Sequence, residues 1–409
     1  SPGSFRTYTQ SVRAVEIVDS HTFRFRTNGP APLLPSDIAM VPMLDRQTHQ
    51  GATTEDFNSG RVAVGTGPFR LVSHRQGERI ELQRNDAYWG RRPAWAAVDY
   101  RMITNDAART AALLAGDVDF IDQVPTTDGA RLRRDQRIAI SEIDSMRFIY
   151  FAMDHMRDGP SPFITDNEGR PLPRNPMKDV RVRRALSLAI DRAAIVARVM
   201  EGDAAATVQV MPEGAFGHVP DLAVPRADPE AARRLLAEAG YPDGFRLTLH
   251  GPNDRYPNDG RIAQAVGQMW TRIGIRTQVE VAPFGTFVAR ASRQEFSAFL
   301  VSWGSSTGEP MAGLRSVAAT YDRARGTGSV NRGRYSNPAF DDMLARAARE
   351  LDTERREDLT RQATRILIED VGIISTHLQR NVWAMRRGFA HTPRVDERTR
   401  AQDVRPAER

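Results

Sequence analysis

The stretch Phe296–Pro310, FSAFLVSWGSSTGEP, carries most of the information in this chain. Its first half, with Phe299, Leu300 and Val301 in succession, reads as a buried strand. The run stops at Trp303 and continues as Gly304, Ser305, Ser306, Thr307 and Gly308, a polar loop. In open α/β sheets, ligands lie in the crevice beyond the carboxyl ends of the strands. An indole followed by hydroxyls and glycines supplies such a crevice with a stacking face and hydrogen-bond donors. The segment reads equally well as a core Trp before an ordinary turn.

Strand and helix patterns alternate on both sides of this segment. Upstream, Phe245–His250 and Ile275–Val281 read as strands, with helices at Gly260–Ile273 and Phe284–Arg293. Asp228-Pro229 is a cap followed by proline at the first helical position, and Asn337-Pro338 repeats that signal ahead of the helix Pro338–Leu351. Asp352 starts a last helix, Thr353–Asp370. These elements describe a parallel-sheet lobe with helical crossovers. The first third differs. Val12–Thr27 reads as two strands around Asp19-Ser20, with Val15, Ile17, Phe23 and Phe25 at period two, and Val62–Arg84 as a hairpin turning at Gln76-Gly77. Asp106 then caps a short helix to Ala115, which Gly116 stops ahead of the strand Val118–Ile121.

The 409 residues exceed what one hydrophobic core usually serves, so two compact units are expected. With 40% hydrophobic and 26% charged residues, the composition is that of a globular protein. A net charge of +6 suggests a nucleic-acid partner, yet the basic residues are scattered among acids, as in Arg349–Arg356, and Lys178 is the only lysine. Arginine used nearly to the exclusion of lysine points to a genomic bias, and no nucleic-acid partner is expected. Cysteine is absent, which excludes disulfides and thiolate chemistry. No stretch has the continuous apolar length of a membrane span, and no charged-then-apolar leader precedes Phe5.

Several segments taken together resemble a family. Gly65–Gly90, GTGPFRLVSHRQGERIELQRNDAYWG, is similar to a stretch of the peptide/nickel class (family 5) of solute-binding proteins that serve ABC importers. Further matches follow in order at Ala108–Phe120, Lys178–Arg192, Asp228–Phe245, Trp303–Pro310 and Arg334–Ala339. Ordered, spaced motifs outweigh any single one. The resemblance covers roughly Ser11–Pro393. It implies a two-lobed α/β fold of the periplasmic-binding-protein type, with mixed sheets and two hinge crossings. Residues 1–150 and 377–409 would form lobe one, and 153–375 lobe two. The match begins part-way through lobe one, so that lobe is expected to be incomplete, with an uncovered sheet edge and an exposed apolar face.

What the resemblance implies about function is a periplasmic, monomeric protein, its leader absent from the sequence. It would hand a peptide or an opine-like compound to an ABC permease after hinge closure, with no chemistry on the ligand. Contact with the membrane would run only through the permease or a missing anchor. The expected ligand contacts are Trp303, Gly304, Ser306 and Thr307, with Asn253, Arg255 and Tyr256 of the loop after the strand ending at His250. In the dipeptide-binding branch a loop at this place supplies an Arg for the ligand carboxylate and a Tyr. A guanidinium suits that role because it holds a carboxylate bidentately. Peptide-binding relatives also carry an Asp for the ligand ammonium where this chain has Ser306. A hydroxyl cannot neutralise an ammonium, so a free peptide amino terminus should bind poorly unless Glu309 or another acid substitutes. Glu309 itself is expected to bond backbone amides of its own loop.

Other chemistries find no motif. The eight histidines show no HExxH or paired spacing, so neither metal nor cofactor is expected. No GxSxG elbow is present, which leaves a hydrolase of unknown type as the rival from another class and a ligand-sensing receptor lobe as a third reading.

Overall fold

A computed structural model describes residues 5–407. The chain forms two compact units, one of Ser1–Val41 with Asp144–Gln379, the other of Pro42–Ile143 with Arg380–Arg409. It therefore passes between them three times, and two of these passages, at Ile143/Asp144 and Gln379/Arg380, fall inside the long strands Ile138–Met153 and Ile374–Arg386. The sequence places the crossings near Phe148–Met153 and Ile373–His377 and assigns the first 41 residues to the other lobe.

The larger unit is built on a mixed sheet. Strand Arg246–Pro252 runs parallel to Arg276–Ala282 over its whole length, and parallel to Ala298–Gly304 at Leu249↔Ala298 and His250↔Phe299. Ala298–Gly304 then pairs antiparallel with residues 147–153, from Ala298↔Met153 to Gly304↔Arg147. The wholly parallel sheet read from the strand and helix alternation is thus corrected. The antiparallel neighbour arrives from a strand more than a hundred residues upstream, which local periodicity does not reveal.

Helices cover both faces of the sheet. Val180–Ala189, Pro229–Glu238 and Asp259–Arg272 bury an apolar stripe against one face, where Trp270 is fully buried and its indole N–H donates to the Leu186 carbonyl at 3.0 Å. On the other face, Phe287, Met311, Leu314, Phe340 and Leu367 pack with Phe148, Tyr150, Phe299 and Val301. The cap signals act as read: the Asp228 carboxylate accepts from the Ala231 N–H and the Asn337 side chain from Ala339 and Phe340, each ahead of a proline. A helix the sequence reading omits, Met311–Val317, follows the Trp303 loop.

Val12–Ile17 and Phe23–Thr27 form the expected hairpin, but their alternation does not mark a buried face: Val15, Ile17 and Phe23 are all exposed. In the smaller unit, Phe69–Arg75, Arg79–Arg84 and Ala97–Arg101 make a three-stranded antiparallel sheet. Its helix Asp106–Ala115 is capped by Asn105 rather than Asp106, because the Asn105 side chain accepts the Ala108 N–H. Leu113, Ile121, Val124 and Leu132 form a core there with Val382 and Ala384. Among the described residues, no helix is long and apolar enough to cross a membrane.

Candidate ligand-binding site

Strands Arg246–Pro252 and Ala298–Gly304 run parallel, so the loops leaving them, residues 253–257 and 305–309, emerge at the same end of the sheet. The sequence-predicted residues lie in or next to these two loops.

Trp303 is half-buried and joins the core around Met311 and Leu314. It reaches helix Met311–Val317 at Gly313, where a Cβ would come within 2.9 Å of the indole Cδ1 and Nε1. The indole N–H is buried there without a hydrogen-bond partner. Part of Trp303 therefore serves the core, as the plainer sequence reading has it, and part remains open at the strand end.

A residue that the sequence reading missed stands between the two loops. Arg147 sits opposite Gly304 in the antiparallel pair, and its Nη1 donates to the Ser302 hydroxyl at 2.7 Å. A Cβ at Gly304 would meet Arg147 Nη2 at 2.9 Å, so the glycine leaves room for the guanidinium to lie across the strand end. The same guanidinium lies 5.9 Å from the centre of the Tyr256 ring. An arginine in an apolar strand paired opposite a glycine is the signal for this arrangement, and it needs the register to be seen.

The 253–257 loop is fixed from below. The buried Asp259 carboxylate accepts the backbone N–H groups of Arg255 and Tyr256, both at 3.0 Å, while Asp254 accepts that of Phe284 at 2.7 Å. Tyr256 is 8% exposed, so its ring serves as a buried platform. Arg255 is exposed and lies over the rings of Tyr256 and Phe284, 5.5 and 5.4 Å from their centres, with no ion pair among the described residues. Asn253 is exposed at the loop start.

The 305–309 loop closes on itself. Buried Ser305 donates from its hydroxyl to the Glu309 carbonyl at 2.8 Å, and its N–H reaches the Met146 carbonyl at 3.1 Å. Thr307 is half-buried against the same carbonyl, and Ser306 is exposed. Glu309 departs from expectation: its carbonyl, not its carboxylate, ties the loop. The carboxylate faces Arg356 at 3.5 Å, and burial pushes its pKa up despite that charge. Ser306 thus has no acidic stand-in within its own loop except Glu309, which is turned toward Arg356. Among the described residues, no group of three or more His, Cys, Asp or Glu side chains is placed to hold a metal ion.

A sheet with ligand loops at its strand ends, in one of two units, is the architecture of a solute-binding protein. Residues 1–324 match the family described as Bacterial extracellular solute-binding proteins, family 5 Middle, and the chain belongs to that family. It is similar to the dipeptide-binding protein of Escherichia coli (strain K12), 25% identical over 86% of this chain and 63% of the relative. It is also similar to heme-binding protein A of Haemophilus influenzae, 26% identical over 87% and 62%. The chain thus spans less than two thirds of the length of these curated relatives. Among solved structures, the periplasmic binding protein DppA of Helicobacter pylori, in complex with peptide STSA, superposes with a TM-score of 0.83 at 22% identity, covering 100% of this chain and 78% of that one. AgaA of A. tumefaciens R10, in complex with agropinic acid, gives 0.77 at 19% identity, covering 100% and 80%.

Proposed function

We propose that this chain is a periplasmic solute-binding protein that receives a peptide-like or opine-like ligand and presents it to an ABC import permease, as a monomer and without altering it. The observation that carries the reading is the convergence, at one end of the sheet, of Trp303 with two guanidiniums, Arg147 and Arg255, that flank a single Tyr256 ring. Fixed cations beside aromatic faces suit a ligand that carries a carboxylate on an apolar body. Asn253, Gly304, Ser306 and Thr307 complete the contacts that we assign. Membership of a binding-protein family and the lack of any activated nucleophile among these residues support binding over hydrolysis. Closure of the two units about the passages at 143/144 and 379/380 is the motion we assign to loading, driven by the ligand's greater affinity for the closed form.

The test is a thermal-shift screen of the purified chain against free and N-acetylated dipeptides, glutathione and opine conjugates. A ligand at a hundred times its Kd stabilises by about 2.7 kcal/mol and is recovered intact. A compound that is consumed would support the hydrolase reading instead.

A further inference from the structure

The largest cavity among the described residues lies away from the Trp303 loop, within the larger unit. It holds about 950 Å³ between the segment of residues 10–37 and helix Pro338–Ala347, with Arg315 on its wall. That volume suits a small organic molecule. Its inner surface is apolar at Leu33, Ala319 and Leu344, all buried, and among them lies a carboxylate: Asp37 is only 8% exposed and lines the cavity. No hydrogen bond to the Asp37 side chain forms among the described residues.

The charges around Asp37 do not cancel. Arg315 opposes it, but Glu309 lies close enough to act on it with like charge, and Asp341, which accepts the Thr320 backbone N–H at 3.0 Å, lines the same cavity. Glu309 is matched by Arg356 at 3.5 Å. Three carboxylates thus face two guanidiniums at the inner end. The arginines at the rim are already engaged with their own neighbours, Arg325 with Asp322 at 3.5 Å and Arg346 with Asp342 at 3.7 Å. Burial pushes the Asp37 carboxyl up to about 6, as expected of an acid held in an apolar wall without a full counter-charge.

We propose that this cavity is a second binding site, distinct from the Trp303 loops, for a small organic cation whose ammonium is held by Asp37 and whose apolar body lies on Leu33 and Leu344. An ammonium supplies the missing charge and a charge-assisted hydrogen bond to a carboxylate already desolvated by the fold.

The experiment titrates the full chain calorimetrically with benzylamine and with benzyl alcohol, its neutral counterpart. Benzylamine should bind saturably, and benzyl alcohol on the order of ten- to a hundredfold more weakly. Asp37→Asn, which keeps the shape, should bring benzylamine to the level of the alcohol. Ala345→Trp fills the cavity from an exposed helix position and should remove binding of both without disturbing the fold. The proposal is overturned if amine and alcohol bind alike, if benzylamine does not bind, or if either substitution leaves its affinity unchanged.

Discussion

Trp303 is held in place by the absence of a side chain at Gly313, and its neighbour Arg147 by the absence of one at Gly304. Two glycines, one in the strand and one in the helix that follows, let an indole and a guanidinium share the strand end. Because Trp303 serves both the core and the open end, Trp303→Ala should lower stability by about 3 kcal/mol, the usual range for truncating a large aromatic. Unfolding should stay cooperative, and affinity for the ligand found by the screen should fall at least tenfold. Calorimetry that gives an unchanged affinity would remove Trp303 from the site. Ser306 sets the charge preference in the opposite way, by what it lacks. Ser306→Asp should strengthen binding of a free-amine dipeptide about ten- to a hundredfold while leaving its N-acetylated partner unchanged or weaker, since a new carboxylate adds a charge-assisted hydrogen bond. If the unmodified protein already prefers the free amine, another acid serves the ammonium.

At the scale of elements, the loop of residues 253–257 depends on one buried side chain. Asp259→Ala removes both hydrogen bonds to the Arg255 and Tyr256 amides and should cost about 1–3 kcal/mol in urea unfolding. Ligand affinity should fall as well, because Arg255 is then no longer aimed. Lost stability with full affinity would show that this loop does not touch the ligand. Much of this level is legible from local sequence: Asp228-Pro229 and Asn337-Pro338 mark helix starts that the structure reproduces, and the apolar run Phe299–Val301 marks its strand. Helix Met311–Val317 escapes such reading because its apolar residues are buried on all sides, which leaves no amphipathic period, and Gly313 argues against a helix. Arg147 escapes for a different reason. Its place depends on the register between two strands some 150 residues apart, which only tertiary pairing sets. The grouping of Ser1–Val41 with the larger unit is non-local in the same sense.

For the molecule as a whole, buried imidazoles make stability sensitive to acid. Burial lowers His155 to about 3, with Arg183 adding to the effect, and lowers His250 and His377 to about 4, Glu280 partly opposing the shift at His250. In the unfolded chain each titrates near 6.5, so below that pH the unfolded state binds protons that the folded state refuses, and stability is lost from pH 6.5 down to about 4. Asp37, raised to about 6, acts oppositely, taking up its proton in the fold before it would in the unfolded chain. Three groups outweigh one. The urea midpoint should therefore be lower at pH 5 than at pH 7, and a level or rising midpoint would show that water reaches these histidines in the fold. The half-exposed indole of Trp303 has an optical consequence too. Trp270 and Trp383 are shut away at 0% and 2% exposure, so in a protein carrying Trp89→Phe and Trp95→Phe the only emission open to a dissolved quencher is that of Trp303. Iodide, drawn by Arg147 and Arg255, should dim that light in the empty protein, and a bound ligand should restore it, so that the protein reports its own cargo by fluorescence.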